Sequence, residues 1–343
     1  MSQTTVAPDA VDSTTLLALA RSFGSDPAFS TCRELEHRVD DAIIRAFGHD
    51  DAAAELDLHR FLYEISAHRI LPPWSPHWRD YEHPVLLAAH RKAGEAWLAR
   101  DLADLDLGLD VPASARPFIA WAEETCKNHA SGVDHPLFTF LAEDATFGQL
   151  RTFIDQETPF DIHFGDLLAL LLPGVHGGEK IELAGNFWDE MGRGAVEATH
   201  RRLRLSMMER VGVPADAYLV DVERFWLEEL RLANMYFQAS TDRRLAPQAV
   251  GMLMATELVV PGRIDRQIDG WRRLGLTDQE MHYLREHVTV DVEHAQGWLD
   301  NVVIPIAEDR PDLMPDMAIG VLRRLDGALG VCERAWNEFR PMA

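Results

Sequence analysis

Apolar residues recur at three- and four-residue spacings along most of the chain, whereas strict alternation is almost absent. No Asn-Gly or Asp-Gly hairpin separates alternating apolar runs. The pattern predicts an all-α protein. A first helical block runs from about residue 28 to 130, broken by the Pro-rich aromatic patch LPPWSPHWRDYEHP and the loop LGLDVPASARP. His77, His83 and His90 stand around that patch at spacings too irregular for a helix face and are expected in an inter-helix loop. From about residue 135 the helices lengthen. Thr146 and Gln149 form a capping box for a helix carrying Glu157, which Pro159 should kink or end. A long helix is expected from Ile181 to Arg210, with Gly192 and Gly194 inside it marking a kink or a close approach to the backbone. ERFWLEELRLANMYFQAS and an apolar helix around Glu257 follow. Thr277 and Glu280 cap a further helix, and an amphipathic helix from Met314 to Phe339 closes the pattern.

Chemistry concentrates on four of these helices. His287, Asp291 and His294 stand at i, i+4 and i+7, within an arc of about 60°, so two imidazoles and a carboxylate project from one face. Imidazole with carboxylate suits iron, manganese or zinc rather than calcium or magnesium. Glu190, Glu197 and His200 fall within about 80° of one another on the expected long helix. Glu257 sits between GMLMAT and LVVPG, so its carboxylate should point inward, where a charge must be paired or bound to metal. Glu157 competes with Asp155, Asp161 and Asp166 for an inward position. Three imidazoles and three to five carboxylates exceed the needs of one ion and suggest two. A ferritin-like four-helix bundle would use Glu197-Ala-Thr-His200 and Asp291-Val-Glu-His294 as its paired elements. His287 is surplus to that scheme, and the helices are interrupted more than a straight bundle would be.

Composition narrows the partners. The formal charge of −23 over 343 residues disfavours nucleic acid and anionic membranes. No apolar run approaches a membrane span, and MSQTTVAPDAVDSTT lacks the layout of a secretory leader, so a disordered lead into a cytoplasmic protein is expected over residues 1–25. Cys32, Cys126 and Cys332 are odd in number and far apart, which fits buried thiols better than disulfides or a zinc ribbon.

The segment NFWDEMGRGAVEATH, in which a Glu precedes Gly-x-Gly and a His ten residues on, together with Glu257 and HVTVDVEH thirty residues later, resembles the haem-oxygenase-like di-iron oxidases and oxygenases, the iron-containing redox enzymes. The resemblance covers roughly residues 130 to 343. It implies a haem-oxygenase-like helical bundle over 131–343, preceded by an N-terminal helical extension over 26–130. By position it implies that Glu190, His200 and His287 hold one iron and that Glu257, Asp291 and His294 hold the other. Glu157 best matches the further carboxylate that some members add. Glu197 has the Glu-x-x-His spacing of other members and competes with Glu190, which the following Gly-x-Gly favours. Haem oxygenases use an axial His and no carboxylate cluster. The thiamin-degrading branch uses a Cys, and no cysteine lies near the ligand segments in sequence.

The resemblance implies two Fe(II) ions, O2 as co-substrate, an external electron donor and a homodimer. Its three main outcomes are N-oxygenation, desaturation and C–C cleavage of amino acids or fatty acids. N-oxygenation of a small amine or amino acid in specialised metabolism is the favoured expectation. Phe187, Trp188, Arg193 and Arg263 are candidate substrate contacts, with Phe164, Leu253 and Lys180 nearby in sequence, since an Arg fork suits a carboxylate. The competing class is a non-catalytic helical protein, an iron-storing bundle or a partner-binding scaffold with wet helix faces.

Overall fold

The computed structural model describes residues 15–24, 26–105, 111–214 and 221–340, without the side chains of 289–293. Among the described residues there are α-helices and short 3-10 and π turns but no strand. The first five α-helices are α1 (Leu16–Ser22), α2 (Phe29–Ile43), α3 (Ala52–Arg69), α4 (Pro84–Asp104) and α5 (Ala115–Asn128). Then come α6 (Pro136–Glu143), α7 (Phe147–Asp161), α8 (Phe164–Leu171), α9 (Gly177–Glu190) and α10 (His200–Arg210). The rest are α11 (Leu227–Thr241), α12 (Ala246–Arg273), α13 (His282–Trp298), α14 (Ile304–Asp309) and α15 (Met314–Phe339).

Local chemistry sets most of the starts. Asp51 accepts hydrogen bonds from the amides of Ala53 and Ala54, and His83 and His135 each cap a helix that begins with Pro. The Thr146–Gln149 box is formed, and Pro159 lies inside α7, which ends two residues later. Thr277 and Glu280 also make their reciprocal bonds, but they close a turn, and α13 begins at His282. Residues 1–14 and 25 of the expected disordered lead lie outside the described residues. The part that is described is ordered: Thr15 caps α1, and Leu16, Leu17 and Ala20 are buried. The expected helix from 181 to 210 is two helices. Gly192, Arg193 and Gly194 have φ of 60°, 51° and 88°. No right-handed helix can contain such a left-handed run, so the chain turns back between α9 and α10.

At the centre α12 packs along α15, α13 and α6, while α11 packs on α3, α7 and α15. One apolar cluster runs from Leu16 through Leu62, Phe237 and Met252 to Val331, so the N-terminal helices share a core with the later ones. A second cluster joins Leu141, Phe153, Met208, Trp271 and Leu284. The α12–α15 crossing depends on reciprocal glycines. A Cβ on Gly251 would overlap the carbonyl of Met317, and one on Gly320 would overlap that of Gln248. Gly320→Ala is therefore expected to destabilise the protein by about 1–3 kcal/mol, read as a lower denaturant midpoint at unchanged slope.

His90, placed within α4 rather than in a loop, is held by Ser66 Oγ and the Leu62 carbonyl. Burial lowers its imidazole from 6.5 to about 4. The unfolded chain takes up this proton below pH 6.5 and the folded chain does not until about pH 4, so the group removes stability as pH falls through that window. His90→Gln should lose less stability than the parent between pH 6.5 and about 4, measured in parallel denaturant titrations.

Candidate metal centre

The left-handed turn builds the first half of the site. Glu190 is the last residue of α9 and His200 the first of α10, where Thr199 caps the helix by accepting a bond from Arg202 N–H. A Cβ on Gly192 would collide with the backbone of Ala198 and Thr199, so glycine lets the chain cross itself closely enough to face the two ends together. Gly165 on α8 similarly leaves room for the Glu190 side chain. The outcome is a contact of 2.8 Å between His200 Nδ1 and Glu190 Oε1, both side chains being buried. His287 of α13 completes the group, its ring centroid 4.6 Å from that of His200. One ligand atom from each of Glu190, His200 and His287 lies within 4.8 Å of the others. That is close enough to share an ion at ordinary coordination distances of about 2 Å.

The tautomer of His287 also suits a metal. Its Nδ1 donates to the Tyr283 carbonyl at 2.8 Å. Nε2 is thereby left as the lone-pair donor. Burial, then the neighbouring His200, lowers its imidazole from the ordinary value and favours the neutral ring.

A second group lies along the same cavity. His294 Nδ1 is 3.9 Å from Glu257 Oε2, and His294 Nε2 is 2.9 Å from Asp189 Oδ2. Asp291 stands on α13 between His287 and His294, and its side chain lies outside the described residues. Asp189 was not singled out by the sequence, because nothing in its spacing distinguishes it from any surface acid. Burial opposes its charge, but bonds from Arg193 and His294 hold its carboxyl below the usual range.

The family profile described as iron-containing redox enzyme matches residues 151–328, just over half of the chain. The chain belongs to the iron-containing redox enzyme family. Membership supports an iron-dependent oxidoreductase. Among solved structures, two of a CADD-like protein of unknown function from Nostoc punctiforme PCC 73102 align at TM-score 0.50 each. Their identities are 16% and 13%, covering 64% and 66% of this chain and 96% and 97% of theirs. A domain of unknown function with a haem-oxygenase-like fold from Shewanella denitrificans OS217 aligns at TM-score 0.49 and 16% identity, over 64% of this chain and 89% of that one. The family match and the all-helical architecture identify the fold as the haem-oxygenase-like helical bundle, carrying additional N-terminal helices. No curated protein matches.

In this iron-containing redox enzyme both carboxylate–imidazole groups open on one cavity between the two apolar clusters, walled by Phe138, Phe153, Phe160 and Phe164. Glu157 of α7 also lines it and accepts a bond from Gln267 Nε2 at 3.2 Å. Burial, reinforced by Asp161, pushes the Glu157 carboxyl up to about 8. Arg204 is fully buried and pairs with Asp161 at 2.7 Å. Glu229 of α11 is another residue the sequence reading missed. It lies at i+2 from Leu227 in an ordinary amphipathic helix, yet it is 0% exposed and lines the cavity.

Several expected residues fall elsewhere. Glu197 lies on a short 3-10 turn and is 83% exposed, paired with Arg202 at 3.2 Å, because the helix that would have aligned it with Glu190 and His200 is broken. Trp188 is exposed and shields Gly194, and Arg193 is committed to Asp189 at 2.5 Å. Phe187 and Leu253 pack in the larger core and Lys180 is exposed. Arg263 is buried on the cavity wall, as is Cys332, which α15 brings there from a distant part of the sequence. Burial raises the Cys332 thiol to about 11 against the pull of Arg263 and Arg324, so it is no thiolate nucleophile.

His294 bonded through Nε2 to Asp189 presents Nδ1 toward Glu257, so Asp189 sets the ring's orientation. Asp189→Asn should weaken metal binding about 10–100-fold with little change in melting temperature of the metal-free protein, measured by competition with a chelator.

Proposed function

We propose that the protein is an O2-activating non-haem di-iron oxygenase that acts on a small amine or amino acid. The reading rests on one observation. Two carboxylate–imidazole groups, Glu190 with His200 and His287, and Glu257 with His294, face the same cavity. In this reading the first three hold one iron, Glu257 and His294 hold the second with Asp291 as their third partner, and Glu157 is the further carboxylate. A ferrous pair bound there would supply the reducing equivalents that activate O2.

The protein's own groups then have definable tasks. Tyr283 fixes His287 through its carbonyl, and Asp189 fixes His294 through its carboxylate. The phenylalanine walls exclude water, and the Arg204–Asp161 pair keeps a positive charge beside Glu157 without leaving it unpaired. N-oxygenation to a hydroxylamine consumes the amine, one O2, two electrons and two protons, and yields the N-hydroxy product and one water. The two electrons come from an external one-electron carrier.

Anaerobic loading with ferrous ion should give about two irons per chain, and exposure of the loaded protein to O2 with substrate should consume O2. His200→Ala and Glu257→Ala should each lower the stoichiometry to about one, by metal analysis after desalting. Iron content unchanged in both variants, or no stoichiometric iron in the parent, refutes the assignment.

A further inference from the structure

Resting on the oxygenase reading, and narrowing its substrate, we infer that the part of the cavity between α11, α12 and α15 is a receptor for a zwitterionic amino acid, with Arg263 and Arg324 taking its carboxylate and Glu229 its ammonium. Among the described residues several buried polar groups on the cavity wall are left unanswered. Neither carboxyl oxygen of Glu229 has a hydrogen-bond partner, and the side chain is entirely buried on the cavity wall. Three guanidinium groups line the same cavity, and of these Arg204 is paired with Asp161. Arg263 donates through Nη2 to the carbonyl and hydroxyl of Ser131, lies over the Phe138 ring at 5.5 Å, and has no partner at Nε. Arg324 donates through Nε to Thr256 Oγ1 at 3.0 Å and has no partner at Nη1.

Buried polar groups without partners are costly, and a cluster of them facing one cavity is the form a ligand site takes before its ligand arrives. The signs are specific. Arg263, Arg324 and Glu229, each with spare bonding capacity, match a molecule carrying one carboxylate and one ammonium. A fatty acid would answer the arginines and leave Glu229 unsatisfied. A simple amine would answer Glu229 and leave two buried cations close together. Burial, helped by Arg324, depresses the Arg263 guanidinium to about 10 against the pull of Cys332 and Glu157.

The placement also suits reaction at the metal groups. Arg263 follows Glu257 on α12 by six residues, about 9 Å along the helix, and Thr256, which holds Arg324, precedes Glu257 by one. An amino acid anchored there shares its cavity with the carboxylate–imidazole groups. The apolar walls from Phe153, Leu232, Val260 and Ile264 receive its side chain.

The test uses the full chain, metal-free and manganese(II)-loaded, and measures calorimetric binding of the twenty common L-amino acids. The tightest is then compared with its decarboxylated amine and its deaminated acid. At least one amino acid should bind at least tenfold more tightly than both derivatives. Glu229→Gln, nearly isosteric, should weaken the amino acid at least tenfold and leave the deaminated acid within twofold. Arg263→Gln should weaken both carboxylate-bearing ligands and spare the amine, with Arg263→Lys recovering part of the loss. Circular dichroism checks folding, and if Arg263→Gln does not fold, Glu229→Gln decides. Equal binding of amino acid and deaminated acid, no effect of Glu229→Gln, or no amino-acid binding in either form overturns the inference. Two irons per chain with no amino-acid binding would sink this receptor and leave the di-iron reading standing, whereas amino-acid binding without iron uptake would do the reverse.

Discussion

His200 Nδ1 and Glu190 Oε1 meet at 2.8 Å inside a helical bundle, with both side chains out of water. An imidazole and a carboxylate removed from solvent are unfavourable unless each is compensated, and here they compensate each other at the junction of two helices that end on one another. That junction exists because Gly192, Arg193 and Gly194 take left-handed conformations and because no side chain at 192 blocks the crossing of Ala198 and Thr199. The rest of the interior is arranged around the same need. Asp161 answers Arg204, Asp189 answers His294, and Gln267 answers Glu157. Among the described residues, Glu229 is left without an answer.

The bundle holds these groups in register through close backbone contact along α12. Gly251 and Gly320 let α12 and α15 touch at the level of Met317 and Gln248, and Gly270 does the same against the Leu141 carbonyl of α6. The same helix carries Glu257, Arg263 and Gln267 toward the cavity. One central helix thus supplies a buried carboxylate, a buried guanidinium and the partner of a buried acid from successive turns. Positioning on helices rather than loops favours a precise site.

Much of the architecture is legible along the chain. Period and capping predict an all-α bundle, and the Thr146–Gln149 box and the Met314–Phe339 helix appear where the residues place them. His287 and His294 face the cavity as their spacing predicts, and Glu257 is buried as its apolar neighbours predict. The long helix from 181 to 210 was not legible as two. Two glycines within a helical pattern signal strain but do not say whether the chain bends or reverses, and the reversal also carries Glu197 away into solvent.

By itself the order of residues determined the helices, the metal-suited character of their inward faces and the family to which the chain belongs, because periodicity, capping and side-chain chemistry are local properties. Which groups share the cavity was decided by the tertiary structure alone. Glu229, Arg324 and Cys332 come from helices whose own patterns are ordinary, and only the packing of α11, α12 and α15 removes them from water and sets them against the same space, while the packing of α9 on α13 brings Asp189 to His294. The physical reason is that the field on an ionisable group depends on what surrounds it in three dimensions, a property that no spacing along one helix can encode.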